Sequence, residues 1–246
     1  MKKSFAILSG KGGAGKTLLA TNLATAFSEQ KGNTLLVDAD FGLPNAHIML
    51  GVNPERTIDD YISGKHSFEE IIHKVSPKLS IVAGKSGSSA LVDLSAENGT
   101  KIWRGIQSVS ENFEYGIVDN SAGAENHTMS LSCIGSTLVI SLVDLPTNFL
   151  DAYSTIKIAN QEHKIKDFMI CINQCNSLTN ARRVFDKFNA ITTQFLQVSL
   201  HLTGFLPKSE KIEASITSRK PFYHNKKNQE HSLIDSIMKN LDGNAL

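Results

Sequence analysis

Seven short apolar runs, rich in β-branched residues, recur along the chain with amphipathic segments between them. This alternation restricts the fold more than any other feature. The runs are FAILS at 5–9, TLLVD at 34–38, LSIVA at 79–83, YGIVD at 115–119, TLVISLV at 137–143, FMICIN at 168–173 and VSLHLTGFL at 198–206. Segments this short and this apolar read as strands buried on both faces. Between them the spacing predicts helices over 16–29, 97–112, 148–161 and 179–196, and Thr57/Asp60 and Ser67/Glu70 read as capping boxes at helix starts. Strands alternating with helices predict an α/β fold, a single domain over 1–246 with a mostly parallel, doubly wound sheet and helices on both faces. A chain of 246 residues, 41% hydrophobic and 20% charged, is long and apolar enough for one such core. Ligands of such sheets bind beyond the carboxyl ends of the strands, so residues at those ends are the candidates for chemistry.

The formal net charge of +1 gives no global attraction to nucleic acid or acidic lipid, so such binding would need a local patch. No run approaches the 18 or more apolar residues of a membrane span, and MKKSFAILSGKGG breaks into glycine too early for a secretory signal. A cytoplasmic protein is expected. Cys133, Cys171 and Cys175 make an odd count in a chain of this length, which fits reduced thiols.

GKGGAGKT, residues 10–17, fits the phosphate-loop pattern G-x-x-x-x-G-K-[ST], directly after one apolar run and directly before a helix. Its glycines (Gly10, Gly12, Gly13, Gly15) and Ala14 let backbone amides turn inward around phosphates, and the helix opening at Lys16, Thr17 and Leu18 adds its positive end. Lys16 is expected on the β- and γ-phosphates and Thr17 on Mg²⁺. Spacing alone leaves Lys11 as a spare charge. Asp38 closes the second run and Asp40 lies two positions on, on the same side if the strand stays extended, and carboxylates beside a phosphate loop can hold the magnesium shell or orient the attacking water. The competing reading is that one of them caps the next helix. Asp119 closes the fourth run, where an acid can hold a magnesium-bound water, and Gly123 beyond it could offer an amide to the γ-phosphate.

KGGAGKT resembles the deviant Walker A signature KGGxGKT of the MinD/ParA family of dimerising ATPases, and DAD at 38–40 and DNSAG at 119–123 resemble that family's two switch regions. Within the family, residues 38–64, DAYSTIK at 151–157 and residues 195–222 are similar to the FlhG/FleN branch, MinD-like regulators of flagellar number and placement. The resemblance implies ATP and Mg²⁺ as cofactors and slow, partner-regulated hydrolysis within an ATP-dependent homodimer. It implies that Lys11 reaches the partner subunit's phosphates, that Asp40 positions water, and that Asp38 contacts magnesium or water. It also implies that Asn173 and the stretch from Pro207 to Glu210 contact the base, and that Asp151 lies near the dimer face. Implied partners are the inner face of the cell membrane, flagellar assembly proteins, or a GTPase of the signal-recognition-particle type. The phosphate loop begins at residue 10, so no N-terminal extension of the kind that stimulates such a GTPase in FlhG proteins is expected.

Two features bear on the alternatives. A ParA-type partition ATPase would bind DNA through basic residues near its carboxyl end, and Arg219, Lys220, Lys226 and Lys227 cluster there, a pattern that is also that of an ordinary solvated surface. The stripe Leu233, Ile234, Ile237, Met238 and Leu241 suits either a helix packed on the core or a membrane-targeting helix.

Overall fold

A computed structural model of the chain describes residues 1–84, 96–121 and 135–244. Eight strands form one sheet: β1 (Lys3–Leu8), β2 (Thr34–Ala39), β3 (Ile72–Lys74), β4 (Leu79–Val82), β5 (Tyr115–Asn120), β6 (Thr137–Leu142), β7 (Asp167–Ile172) and β8 (Ser199–Phe205). Their spatial order is β3-β4-β2-β5-β1-β6-β7-β8, and every pairing is parallel except β3 with β4. All seven apolar runs are strands. The short β3 was not foreseen, since three partly exposed residues at the sheet's edge carry no apolar run.

The described helices are α1 (Lys16–Gln30), α2 (Ala46–Met49), α3 (Ile58–Ile62), α4 (Ala96–Ser108), α5 (Pro146–His163), α6 (Leu178–Phe195), α7 (Glu210–Ser218) and α8 (Gln229–Asn244). Both capping boxes form. The Thr57 amide donates to Asp60 at α3, whereas the Ser67–Glu70 pair closes only a single 3-10 turn.

Alternation along the strands divides the core into layers. Phe5, Ile7, Leu36, Ile117, Val139 and Met169 face α1 and α8, while Ala6, Leu8, Ile140, Phe168 and Ile170 face α5 and α6. On the latter side Leu35, Val37 and Val82 pack with α3 and α4. Helix α1 is buried nearly all round, so its hydroxyls turn back on its own carbonyls, Thr21 on Thr17 and Thr25 on Thr21.

The carboxyl-terminal stripe is buried: Ile234, Ile237, Met238 and Leu241 are each 0% exposed. Helix α8 approaches β8 so closely that a Cβ at Gly204 would stand 2.6 Å from Ile237 Cγ1. Asp242 at its end receives Lys31 at 2.8 Å and Lys3 at 2.9 Å. Among the described residues no helix is long and apolar enough to cross a membrane.

Ile237→Ala should therefore lower unfolding free energy by about 2–5 kcal/mol in urea denaturation, the cost of a cavity in a filled core. A stripe reserved for a lipid surface would show almost no loss.

Candidate functional site

Three strands end at one place. In register, Asp38 of β2 lies directly opposite Asp119 of β5, and Asp119 lies opposite Ile7 of β1, from whose end the phosphate loop departs. Neighbouring strands are about 4.8 Å apart, so the two carboxylates stand side by side. Both are 0% exposed.

Each carboxylate is treated differently. Asp38 Oδ1 accepts the Asp40 amide at 3.2 Å and Oδ2 accepts the Ala46 amide at 3.0 Å, so Asp38 caps α2 while belonging to the acidic group. The two readings of this residue coexist. Asp40 is not on the extended strand: β2 ends at Ala39, and Asp40 Oδ1 instead accepts the Leu43 amide at 3.2 Å. Neither oxygen of Asp119 has a hydrogen-bond partner among the described residues. Burial pushes the Asp119 carboxyl up to about 7, against the downward pull of the Thr17 hydroxyl, which adjoins it without a hydrogen bond of normal geometry, and of the Lys16 ammonium. Burial, with Asp119 adding its charge, holds the Asp38 carboxyl well above the usual carboxylate range. Lys16 is 6% exposed, and burial lowers its pKa while Asp119 and Asp40 pull it upward.

The phosphate loop is held from outside. A Cβ at Gly10 would fall 2.2 Å from the Asp151 carbonyl carbon, which seats the loop directly on α5. Gly13 and Gly15 take φ of 81° and 80°, the left-handed region where glycine is free of penalty. Four of the loop's carbonyls have partners. Lys11 O accepts the Ser9 hydroxyl at 2.8 Å, Gly13 O accepts Gln174 Nε2 at 3.2 Å, and Gly15 O accepts the Leu19 amide at 3.0 Å. Ala14 O accepts two donors, Ser141 Oγ at 2.6 Å and Asn173 Nδ2 at 2.9 Å. The N-cap of α1 is Gly15, which has no side chain to cap the helix, so the first amides are left for an anion.

Of the expected residues, Gly10 through Thr17, Asp38, Asp40 and Asp119 come together at this edge. The Leu18 side chain turns into the core, leaving its backbone to the site. Lys11, Gly12 and Gly13 are exposed on the outer rim, with Asp151 beside the loop. Asn173 holds the loop, and its Oδ1 also accepts the Gln174 amide at 2.8 Å. Pro207 lies just beyond Leu206, whose carbonyl accepts the Cys175 amide at 3.0 Å, so it borders the same corner. Gly123 and Cys133 lie outside the described residues. Sequence reasoning missed Ser141, Gln174 and Asn120, whose side-chain amide donates to Ile7 O at 3.2 Å and ties β5 to β1. Ser141 carried a signal, a hydroxyl inside the otherwise apolar stretch LVISLV.

The donor set suits a magnesium ion. Asp119 and Asp40 pull on one buried ammonium, and the Asp119 oxygens leave negative charge that a divalent cation would offset, with the Thr17 hydroxyl adjoining. Among the described residues no three acids converge as ligands, so water would complete the ion's shell.

Without metal or nucleotide, the folded chain holds a proton on Asp119 more tightly than the unfolded chain does. Stability is therefore lost as pH rises from about 4 through 7. Asp119→Asn, similar in size and uncharged, should melt a few degrees above wild type at pH 8 in EDTA, by differential scanning calorimetry. The gap should narrow toward pH 5, and a gap constant with pH would contradict the assignment.

Comparison with known proteins agrees with this architecture. Over 218 residues the chain is 30% identical to the antiactivator FleN of Pseudomonas aeruginosa, covering 89% of this chain and 78% of that one. It is 28% identical to the flagellum site-determining protein YlxH of Helicobacter pylori, covering 89% and 74%. The septum site-determining protein MinD of Pyrococcus horikoshii, solved with Mg-ADP, shares the fold with a TM-score of 0.82 at 19% identity, covering 98% of this chain and 96% of that one. The signature of the CobQ/CobB/MinD/ParA nucleotide binding domain matches residues 5–222. By fold, by site and by that match, the chain belongs to the CobQ/CobB/MinD/ParA family of nucleotide-binding proteins.

Proposed function

We propose that this protein is a Mg²⁺-dependent ATPase working as a dimerisation switch: ATP joins two copies, the dimer engages a membrane surface or a protein partner, and slow hydrolysis releases it. The observation that carries this reading is the contrast between the loop's two lysines. Lys16 is buried in the field of Asp119 and Asp40, as suits a contact to phosphates bound by its own chain. Lys11 stands exposed on the rim, where a cation can reach the phosphates of a second copy and neutralise charge there as a trans arginine finger does. Exposed apolar side chains at the same edge, Leu43 at 75% and Leu150 at 69%, support an interface around Lys11 and Asp151.

Within the site, Asp40 orients the attacking water and Lys16 balances charge on the phosphates. Thr17, with Asp38 and Asp119 acting through water, would hold the magnesium ion, which supplies Lewis-acid polarisation of the phosphate oxygens. The relatives are an antiactivator, FleN, and a flagellum site-determining protein, YlxH, which favours control of flagellar number or placement as the process served.

Size-exclusion chromatography with light scattering should show a doubling of mass with ATP and Mg²⁺ but not with ADP, and Lys11→Ala should remain monomeric. A wild type that stays monomeric at saturating ATP would refute the switch. Asp40→Ala should still dimerise while releasing phosphate about 100-fold more slowly or worse, and unchanged turnover would remove Asp40 from the mechanism.

A further inference from the structure

The Ala14 carbonyl is the most heavily held atom of the phosphate loop. It points away from the site into the ends of β6 and β7, where Ser141 is 0% exposed and Asn173 is 3% exposed. A buried carbonyl needs a donor, and this one has two, Ser141 Oγ at 2.6 Å and Asn173 Nδ2 at 2.9 Å, filling both lone-pair positions. The consequence for the loop is geometric. Ala14 sits between two glycines of positive φ, an alternation that turns successive amides toward one concave side. Pinning the carbonyl outward fixes the peptide plane between Ala14 and Gly15, and so fixes the Gly15 amide inward. Gly15 meets the same clamp, because a Cβ there would stand 2.0 Å from Asn173 Nδ2.

We propose that Ser141 and Asn173 form a two-donor clamp on the Ala14 carbonyl that sets the anion-binding shape of the phosphate loop, so that Asn173 acts on the phosphates through the loop as well as bordering the base. The proposal rests on the ATPase reading above and assigns Ser141 a positioning role. Asn173 also joins the two halves of the ligand. Its Oδ1 holds the Gln174 amide, Gln174 holds Gly13 O, and the Cys175 amide reaches Leu206 O beside Pro207. A shift at the base corner is thereby felt at the phosphate loop.

Calorimetric titration of nucleotide-free protein with inorganic pyrophosphate and, separately, with ADP, each with Mg²⁺, separates this clamp from a base contact, because pyrophosphate has no base. Ser141→Ala should weaken pyrophosphate and ADP by the same factor, about 3- to 10-fold, the worth of one hydrogen bond, and Asn173→Ala should weaken pyrophosphate by that factor and ADP by at least as much, because ADP also loses the base corner. Ser141→Thr, which keeps the hydroxyl, should retain wild-type affinity for both ligands, a rescue that mere packing would not produce. The double variant should lose more than the product of the single losses, because only it leaves the carbonyl without a donor. Folding is checked by circular dichroism, and each single variant leaves one donor in place. An Asn173→Ala variant that loses ADP affinity alone would reduce Asn173 to a base contact, and unchanged binding in Ser141→Ala would overturn the clamp. A wild type that binds neither ligand would overturn the ATPase reading, and the clamp with it.

Discussion

Two carboxylates abreast on neighbouring parallel strands, both wholly removed from water, are the constraint around which the carboxyl edge of this sheet is arranged. Each forfeits its hydration, and a neighbouring acid adds like charge, Asp119 for Asp38 and Asp40 for Asp119, so neither Asp38 nor Asp119 ionises as readily as a surface acid. Lys16 relieves part of the burden and the two amides on Asp38 relieve more. Asp119 keeps the remainder, with no partner among the described residues for either oxygen. That leaves uncompensated acid at the mouth of the phosphate loop, the feature on which the proposed Mg²⁺ site draws.

The phosphate loop answers the opposite problem. Amides must converge on an anion without collapsing onto carbonyls of their own loop, so the carbonyls need partners elsewhere. They find them in Ser9, Ser141, Asn173 and Gln174, drawn from the ends of three strands. The order β5-β1-β6-β7 matters here, because β1 at the centre delivers the loop between an acidic side and a side of hydrogen-bond donors. Gly10 against α5 and Gly15 against Asn173 then set how closely the loop can lie on its supports.

Much of this was legible in the residues alone, and the division follows the range of the interactions. Strands buried on both faces announce themselves locally, so all seven apolar runs were found, as were the glycine loop and the acids at strand ends. Features made by contacts remote in sequence were not. Ser141 meets Ala14 across 127 positions and Asn173 across 159, and nothing near either residue advertises that meeting. Short helices were missed for a related reason: α2 starts where Asp38 captures the Ala46 amide, and α7 starts where Ser209 Oγ captures the Ile212 amide. The extended path expected through Asp40 failed because the Asp38 carboxylate takes the Asp40 amide and turns the chain. Lys11 is the reverse case, for its residue type and spacing are silent, and the role proposed for it draws on its exposed place on the rim together with the resemblance of KGGAGKT to a family signature.

The turn after β2 shows how a charge at the site can be felt at the surface. Asp38 grips the chain at both ends of the segment from Asp40 to Ala46, one oxygen at each end, and Asp40 grips Leu43 within it. Leu43 itself is 75% exposed. The segment that presents Leu43 is therefore tied to the buried Asp38, beside the phosphate loop, by two hydrogen bonds. The coupling needs no rearrangement of the sheet, whose strands are locked in register by the core on both faces. It holds an exposed apolar side chain at the same edge of the sheet as the phosphate loop.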